Sequence, residues 1–145
     1  MANWCMNYLR VTGPVEDVAR FQEEAAEVKL PRGATSDTTL EALSFERLLP
    51  LPPESRTSPD AGPMAEWGCR GNAFNSERVE CWDGAVGFRF VTPWNPPMVF
   101  LQRVSECWPT LVFVLDYEEP RACFRGLARA AKGSLQHFHL DLGTP

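Results

Sequence analysis

Two histidines, five cysteines and nineteen carboxylates are the side chains of this 145-residue chain best suited to chemistry. His137 and His139 stand two apart on a predicted strand, so their rings leave the same face, and Asp141 continues the alternation. His-x-His-x-Asp is the beginning of a metal site. Three ligands on the last strand do not close one, because a structural ion draws donors from several elements. The favoured reading is a solvated strand with no metal. The cysteines, Cys5, Cys69, Cys81, Cys107 and Cys123, are scattered, and no pair forms Cys-x-x-Cys. They read as reduced, mostly buried thiols rather than zinc ligands or a redox pair. None follows a glycine-rich elbow or opens a helix, so no thiol is marked as an activated nucleophile. Glu118 and Glu119 are adjacent at a strand end and point apart, whereas an acid/base pair must converge. Glu80 and Asp83 flank a turn and read as surface residues. Gly68-Cys69-Arg70-Gly71 is too short for a phosphate loop and lacks its lysine. No catalytic residue and no cofactor is expected.

Binding is better signalled than catalysis. In Gly87-Phe88-Arg89-Phe90-Val91 the two phenylalanines share one strand face and Arg89 takes the other. On an open sheet face, phenylalanines of this kind stack nucleobases. In a core they pack under helices, which is the favoured reading for an acidic chain. Trp67 and Trp94 lie in loops rich in Gly, Pro and Asn, where a rigid aromatic anchors the loop or forms a protein-binding hot spot. Glu16, Asp17, Glu23, Glu24 and Glu27 surround a predicted first helix, as a solvated face or as a surface for a basic partner. The net charge of −5 excludes a typical duplex-DNA binder. Residues 1–72 hold seven basic and eleven acidic side chains, and residues 73–145 hold seven and eight. No apolar run approaches a membrane span, and the start lacks the pattern of a secretory signal, so a cytoplasmic protein is expected.

These residues are positioned by elements that the spacing predicts. Residues 4–12 read as a strand, closed by Gly13-Pro14, and an apolar stripe from Val15 to Val28 reads as a helix with Glu16 and Asp17 at its positive end. Prolines and glycines punctuate residues 29–65, which read as a long, largely irregular excursion with one ordered piece clamped by Leu43, Phe45, Leu48, Leu49 and Leu51. Residues 78–82 and 85–91 form a predicted hairpin across Asp83-Gly84, a sequence suited to a type I′ turn. Residues 97–107 read as a helix stopped by Trp108-Pro109, Leu111–Asp116 as a buried strand, and 124–131 with 135–142 as a second hairpin across Lys132-Gly133. The order β-α-excursion-β-β-α-β, with a further hairpin, predicts an α+β ferredoxin-like sandwich: an antiparallel sheet with two helices on one face. Residues 1–145 read as one domain, with 29–77 mostly irregular.

Five motifs add a resemblance. They are Asn3-Trp4-Cys5-x-Asn7-x-Leu9-x-Val11-x-Gly13; Leu43-Ser44-Phe45-x-x-Leu48-x-Pro50-x-Pro52; Trp67-Gly68; Phe90-x-Thr92-x-Trp94-x-Pro96-Pro97; and Tyr117-Glu118-Glu119-Pro120. Over residues 3–126 the chain resembles the YubB-like proteins of phages and conjugative plasmids. It departs from them after Trp67-Gly68, where Cys69-Arg70-Gly71-Asn72 replaces a Lys-Trp-like continuation. The resemblance implies a ferredoxin-like fold and a mobile genetic element, and no reaction. The expectation is a non-enzymatic protein-binding accessory of the counter-defence (anti-CRISPR or anti-restriction) type. Its acidic surface would meet a host protein, such as a nucleic-acid-binding defence complex. The alternative is a single-stranded nucleic-acid-binding module using Phe88, Arg89 and Phe90.

Overall fold

A computed structural model describes residues 3–29, 39–57 and 61–143. Strand β1 (Trp4–Thr12) alternates cleanly, with Cys5, Asn7, Leu9 and Val11 buried and Trp4, Met6 and Arg10 exposed. That period-2 pattern gives the strand one face for a core and one for solvent. Helix α1 (Val15–Ala25) follows and buries Val18, Phe21 and Ala25. It ends three residues before the predicted limit of Val28. The Ala25 carbonyl accepts from the Ser44 amide, and Glu27–Lys29 leaves as β2 to pair with β3 (Thr39–Glu41).

The long excursion is more ordered than its punctuation predicts. Besides β2 and β3 it holds helix α2 (Phe45–Leu48), a 3₁₀ turn (Pro53–Thr57) and helix α3 (Ala61–Trp67). Helices of four and seven residues span too few turns to leave a periodic signal. The predicted clamp is present: Leu43 and Phe45 are fully buried, and Leu48, Leu49 and Leu51 pack against the core. Residues 30–38 and 58–60 of the excursion lie outside the described residues.

Strands β4 (Phe74–Trp82) and β5 (Ala85–Pro93), helix α4 (Met98–Cys107), and strands β6 (Val112–Glu119), β7 (Phe124–Ala131) and β8 (Ser134–Asp141) complete the chain. The strand order is β4-β5-β1-β6-β7-β8, with every neighbouring pair antiparallel. The first four strands have the ferredoxin-like arrangement, and the last hairpin widens the sheet to six. The turn chemistry is reversed from expectation. At Asp83-Gly84 only Gly84 takes a positive φ (78°), whereas Lys132 (52°) and Gly133 (80°) both do, so the doubly left-handed turn joins β7 to β8.

One face of the sheet is packed. Phe21 of α1 meets Phe88, Phe113 and Trp108 edge-on, and Phe45 of α2 meets Phe90 and lies 4.2 Å, centroid to centroid, from Phe100 of α4. The strand alternation sends Trp4, Met6, Tyr8, Arg10, Arg89 and Val91 to the opposite face, where solvent reaches the sheet.

Candidate functional site

The solvent-facing side of the sheet carries a row of exposed aromatic and charged side chains. At one end Trp4 meets Phe74 edge-on at 5.5 Å, and with Met6, Val91 and Arg121 they line a groove of about 750 Å³. Toward the middle, Tyr8 donates a hydrogen bond to Glu80 across strand β5. Arg10 and the Trp82 indole N–H also reach Glu80, at 3.8 and 3.4 Å. The strand between is thin at that place. A Cβ on Gly87 would stand 2.4 Å from the Tyr8 hydroxyl and 2.7 Å from Glu80 Cγ. Burial and the Glu80 partner push Tyr8 up to about 12, and the same bond, with Trp82 behind it, holds the Glu80 carboxyl below its ordinary value. Arg89 pairs with Glu77 at 3.7 Å and Arg125 with Asp116 at 3.8 Å. Arg10, Arg89 and Arg125 on this face are thus each paired with an acid, whereas Arg121 in the groove and Arg129 opposite Val114 form no ion pair among the described residues, and Leu127, Phe138 and Leu140 are exposed beyond them.

The residues predicted as sites are redistributed. Phe88 and Phe90 are 1% exposed and point at the helices, so neither offers a face to a base. Arg89 alone of that trio is on the open side. Trp67 is buried, and its indole N–H donates to the Leu49 carbonyl, so it anchors a loop and is no hot spot. Trp94 is 39% exposed and takes a positive φ of 66°, with its amide bonded to the Asn3 carbonyl.

The five acids do not make one surface. Glu16, Glu23 and Glu24 are exposed on α1. Asp17 accepts from the Thr110 hydroxyl and pairs with Arg20, which also lies 4.9 Å from the Trp108 ring and places a cation among them. Glu27 has left the helix and stands opposite Glu41 in the small sheet.

Gly68 and its neighbours cradle no ligand. A Cβ at Gly68 would meet the Val99 amide nitrogen at 2.9 Å, so that loop is pressed onto the start of α4. Cys5 and Cys69 are buried, and burial pushes both thiols up to about 12, which keeps them protonated. Glu118 and Glu119 diverge as expected. Glu119 is 1% exposed and accepts from the Ala122 amide, capping its own turn.

The other face holds a cluster that the sequence reading did not assemble. Tyr117 of β6 lies across Gly126 of β7, where a Cβ would be 2.2 Å from the hydroxyl. Its oxygen sits 2.6 Å from His137 Nε2 and 2.8 Å from His139 Nδ1, both on β8. The two histidines do share a face, as their spacing predicts. Their third partner comes from two strands away and is invisible in a single-strand pattern. A mid-strand glycine beside an aromatic strand was the available signal, since such a glycine marks a close approach. Among the described residues no group of three or more His, Cys, Asp or Glu side chains gathers in a metal-binding arrangement.

Two comparisons bear on the fold. Residues 71–142 match a family model described as "Ferredoxin-like domain in Api92-like protein". The chain is similar to the crystal structure of a protein Api92 from Yersinia pseudotuberculosis, with a TM-score of 0.72 at 10% identity, over 100% of this chain and 99% of that one. No curated protein matches the chain significantly. The matched stretch runs from just before β4 to just after β8 and omits β1, which in this molecule lies between β5 and β6.

Proposed function

We propose that this chain, whose residues 71–142 are a ferredoxin-like domain of the Api92-like family, is a non-enzymatic protein-binding module that holds a partner on the open face of its sheet. The observation that carries this reading is the exposed Trp4–Met6–Phe74 cluster beside paired charges. Exposed aromatics and arginines around an apolar groove are the composition of a protein-binding hot spot. Three arginines of that face, Arg10, Arg89 and Arg125, are already matched by acids, which favours a protein partner over a polyanion. The non-enzymatic part is supported by carboxylates that turn apart; of the thiols, expected to be mostly buried, only Cys5 and Cys69 are, while Cys81 and Cys107 are exposed and Cys123 is half-buried. A mobile-element setting and a counter-defence role, with a host protein as partner, belong to the same proposal and rest on the five sequence motifs. The exposed Glu16, Glu23 and Glu24 offer such a partner a secondary acidic contact.

Capture from a host with active defence systems tests this. Trp4→Ala combined with Phe74→Ala is expected to lower recovery of the captured host protein by at least about tenfold, the range of a lost hot spot. Charge reversal at Glu16, Glu23 and Glu24 is expected to do less. If the reversal abolishes capture and the aromatic changes do not, binding runs through α1 and the open-face reading fails. A second reading, single-stranded nucleic acid, is favoured by one observation: Trp4, Tyr8, Arg10 and Arg89 share the open side of the central strands. Micromolar binding of a labelled oligonucleotide at low salt, lost in Trp4→Ala, would replace the protein-binding proposal.

A further inference from the structure

The Tyr117 cluster lies on the helix-side face of β6–β8, opposite the proposed docking face, and it is argued independently of that reading. Two imidazole nitrogens on one strand converge on one phenolic oxygen, at 2.6 and 2.8 Å. A hydroxyl has a single proton, so one ring accepts it while the other is held against a lone pair. Both ring nitrogens are aimed at that one oxygen.

We propose that Tyr117, His137 and His139 form a binding site for a divalent transition ion of the zinc and copper(II) class. Imidazole suits these ions, and two imidazoles with one oxygen leave a fourth position for water. Around a tetrahedral ion with bonds of about 2.0–2.1 Å the donors stand about 3.3 Å apart. The present separations must therefore open by about 0.5–0.7 Å. His137 and His139 are exposed and able to make that shift. Tyr117 supplies the fixed point. It is buried, it lies across Gly126, and its ring is 6.0 Å from Phe124, which also packs 5.1 Å from His139.

Proton accounting follows from the same groups. A phenol carries its proton at neutral pH. Binding through the phenolic oxygen therefore releases that proton to solvent, leaving a phenolate and two neutral imidazoles on the ion. Affinity rises with pH as a result. Asp141, next on the same face, has its carboxylate on the Gly143 amide and is not counted among the donors.

The test is titration of the whole protein with zinc chloride in a non-chelating buffer, read by calorimetry and by the melting temperature. One equivalent of zinc with a raised melting temperature is expected. His137→Ala or His139→Ala is expected to weaken binding by roughly tenfold or more, and Tyr117→Phe by a similar factor while keeping the ring in place. Copper(II) supplies a readout that a purely structural role would not move: a tyrosinate-to-copper charge-transfer band, absent in Tyr117→Phe. Circular dichroism confirms that each variant is folded, and His139→Gln replaces any alanine variant that is not. Absence of zinc heat and of a melting shift overturns the proposal. So does wild-type affinity in the histidine variants, which would mark an adventitious ion only. So does a Tyr117→Phe protein that binds zinc unchanged and keeps the copper band.

Discussion

Gly87 and Gly126 do the same thing on opposite faces of the sheet. Each removes a side chain from the middle of a strand, and a tyrosine from one neighbouring strand reaches over it to a partner on the other. Tyr8 reaches Glu80 over Gly87, and Tyr117 reaches His137 and His139 over Gly126. Adding a methyl group at Gly126 forces the Tyr117 ring to move, because its Cζ would be 2.3 Å and its hydroxyl 2.2 Å from the new carbon. Gly126→Ala is therefore expected to destabilise the protein by about 1–3 kcal/mol, the range for overpacking. In a Tyr117→Ala background the same change is expected to cost markedly less, since the ring is no longer there to be displaced. Urea unfolding of the four proteins measures the difference. At this scale the sequence was half legible. Each histidine's face followed from its spacing, but a partner two strands away has no local signature.

Elements were legible in proportion to their length. Strand β1 and helix α1 announce themselves through alternation and a stripe. Helix α2 does not, because a single turn is held by its ends rather than by periodicity. Its start is locked by two polar side chains: Ser44 Oγ accepts from the Arg47 amide and from Asn72 Nδ2, and Asn72 Oδ1 accepts from the Phe45 and Ala73 amides. Asn72 closes a structural lock between the start of α2 and the approach to β4. Asn72→Ala is expected to leave the Phe45 and Ala73 amides without their acceptor and to cost about 1–3 kcal/mol. Ser44→Ala is expected to cost about 1 kcal/mol, as for a lost helix cap. Thermal and urea melts rank the two. Phe88 and Phe90 teach a related lesson. Their alternation was readable, but which face the helices cover depends on α1, α2 and α4 together.

For the whole molecule the decisive fact is where β1 sits. It is first in sequence and central in the sheet, bonded to β5 on one side and β6 on the other, with Leu9 opposite both Phe88 and Leu115. The family match begins at residue 71 and so leaves this strand out. A fragment of residues 71–142 is expected to be unfolded alone, since removing β1 opens a gap in the middle of the sheet and strips Cys5, Leu9 and Val11 from the core. Circular dichroism of the fragment checks this, and native-like signal with a cooperative melt would refute it. The topology was legible because the order of strands and helices admits few antiparallel arrangements.

That central strand also sets the timing of folding. β1 is made before both of its partners, which follow it by some eighty to a hundred residues, Phe88 and Leu115 both facing Leu9. Until β6 has emerged, β1 has an unpaired edge and its apolar row is incompletely covered. Loops of that span close slowly, and contacts so distant in sequence place a domain toward the slow end of folding rates. The nascent strand therefore waits for both partners with Cys5, Leu9 and Val11 unsheltered, and chaperone engagement is expected to concentrate on residues 4–12.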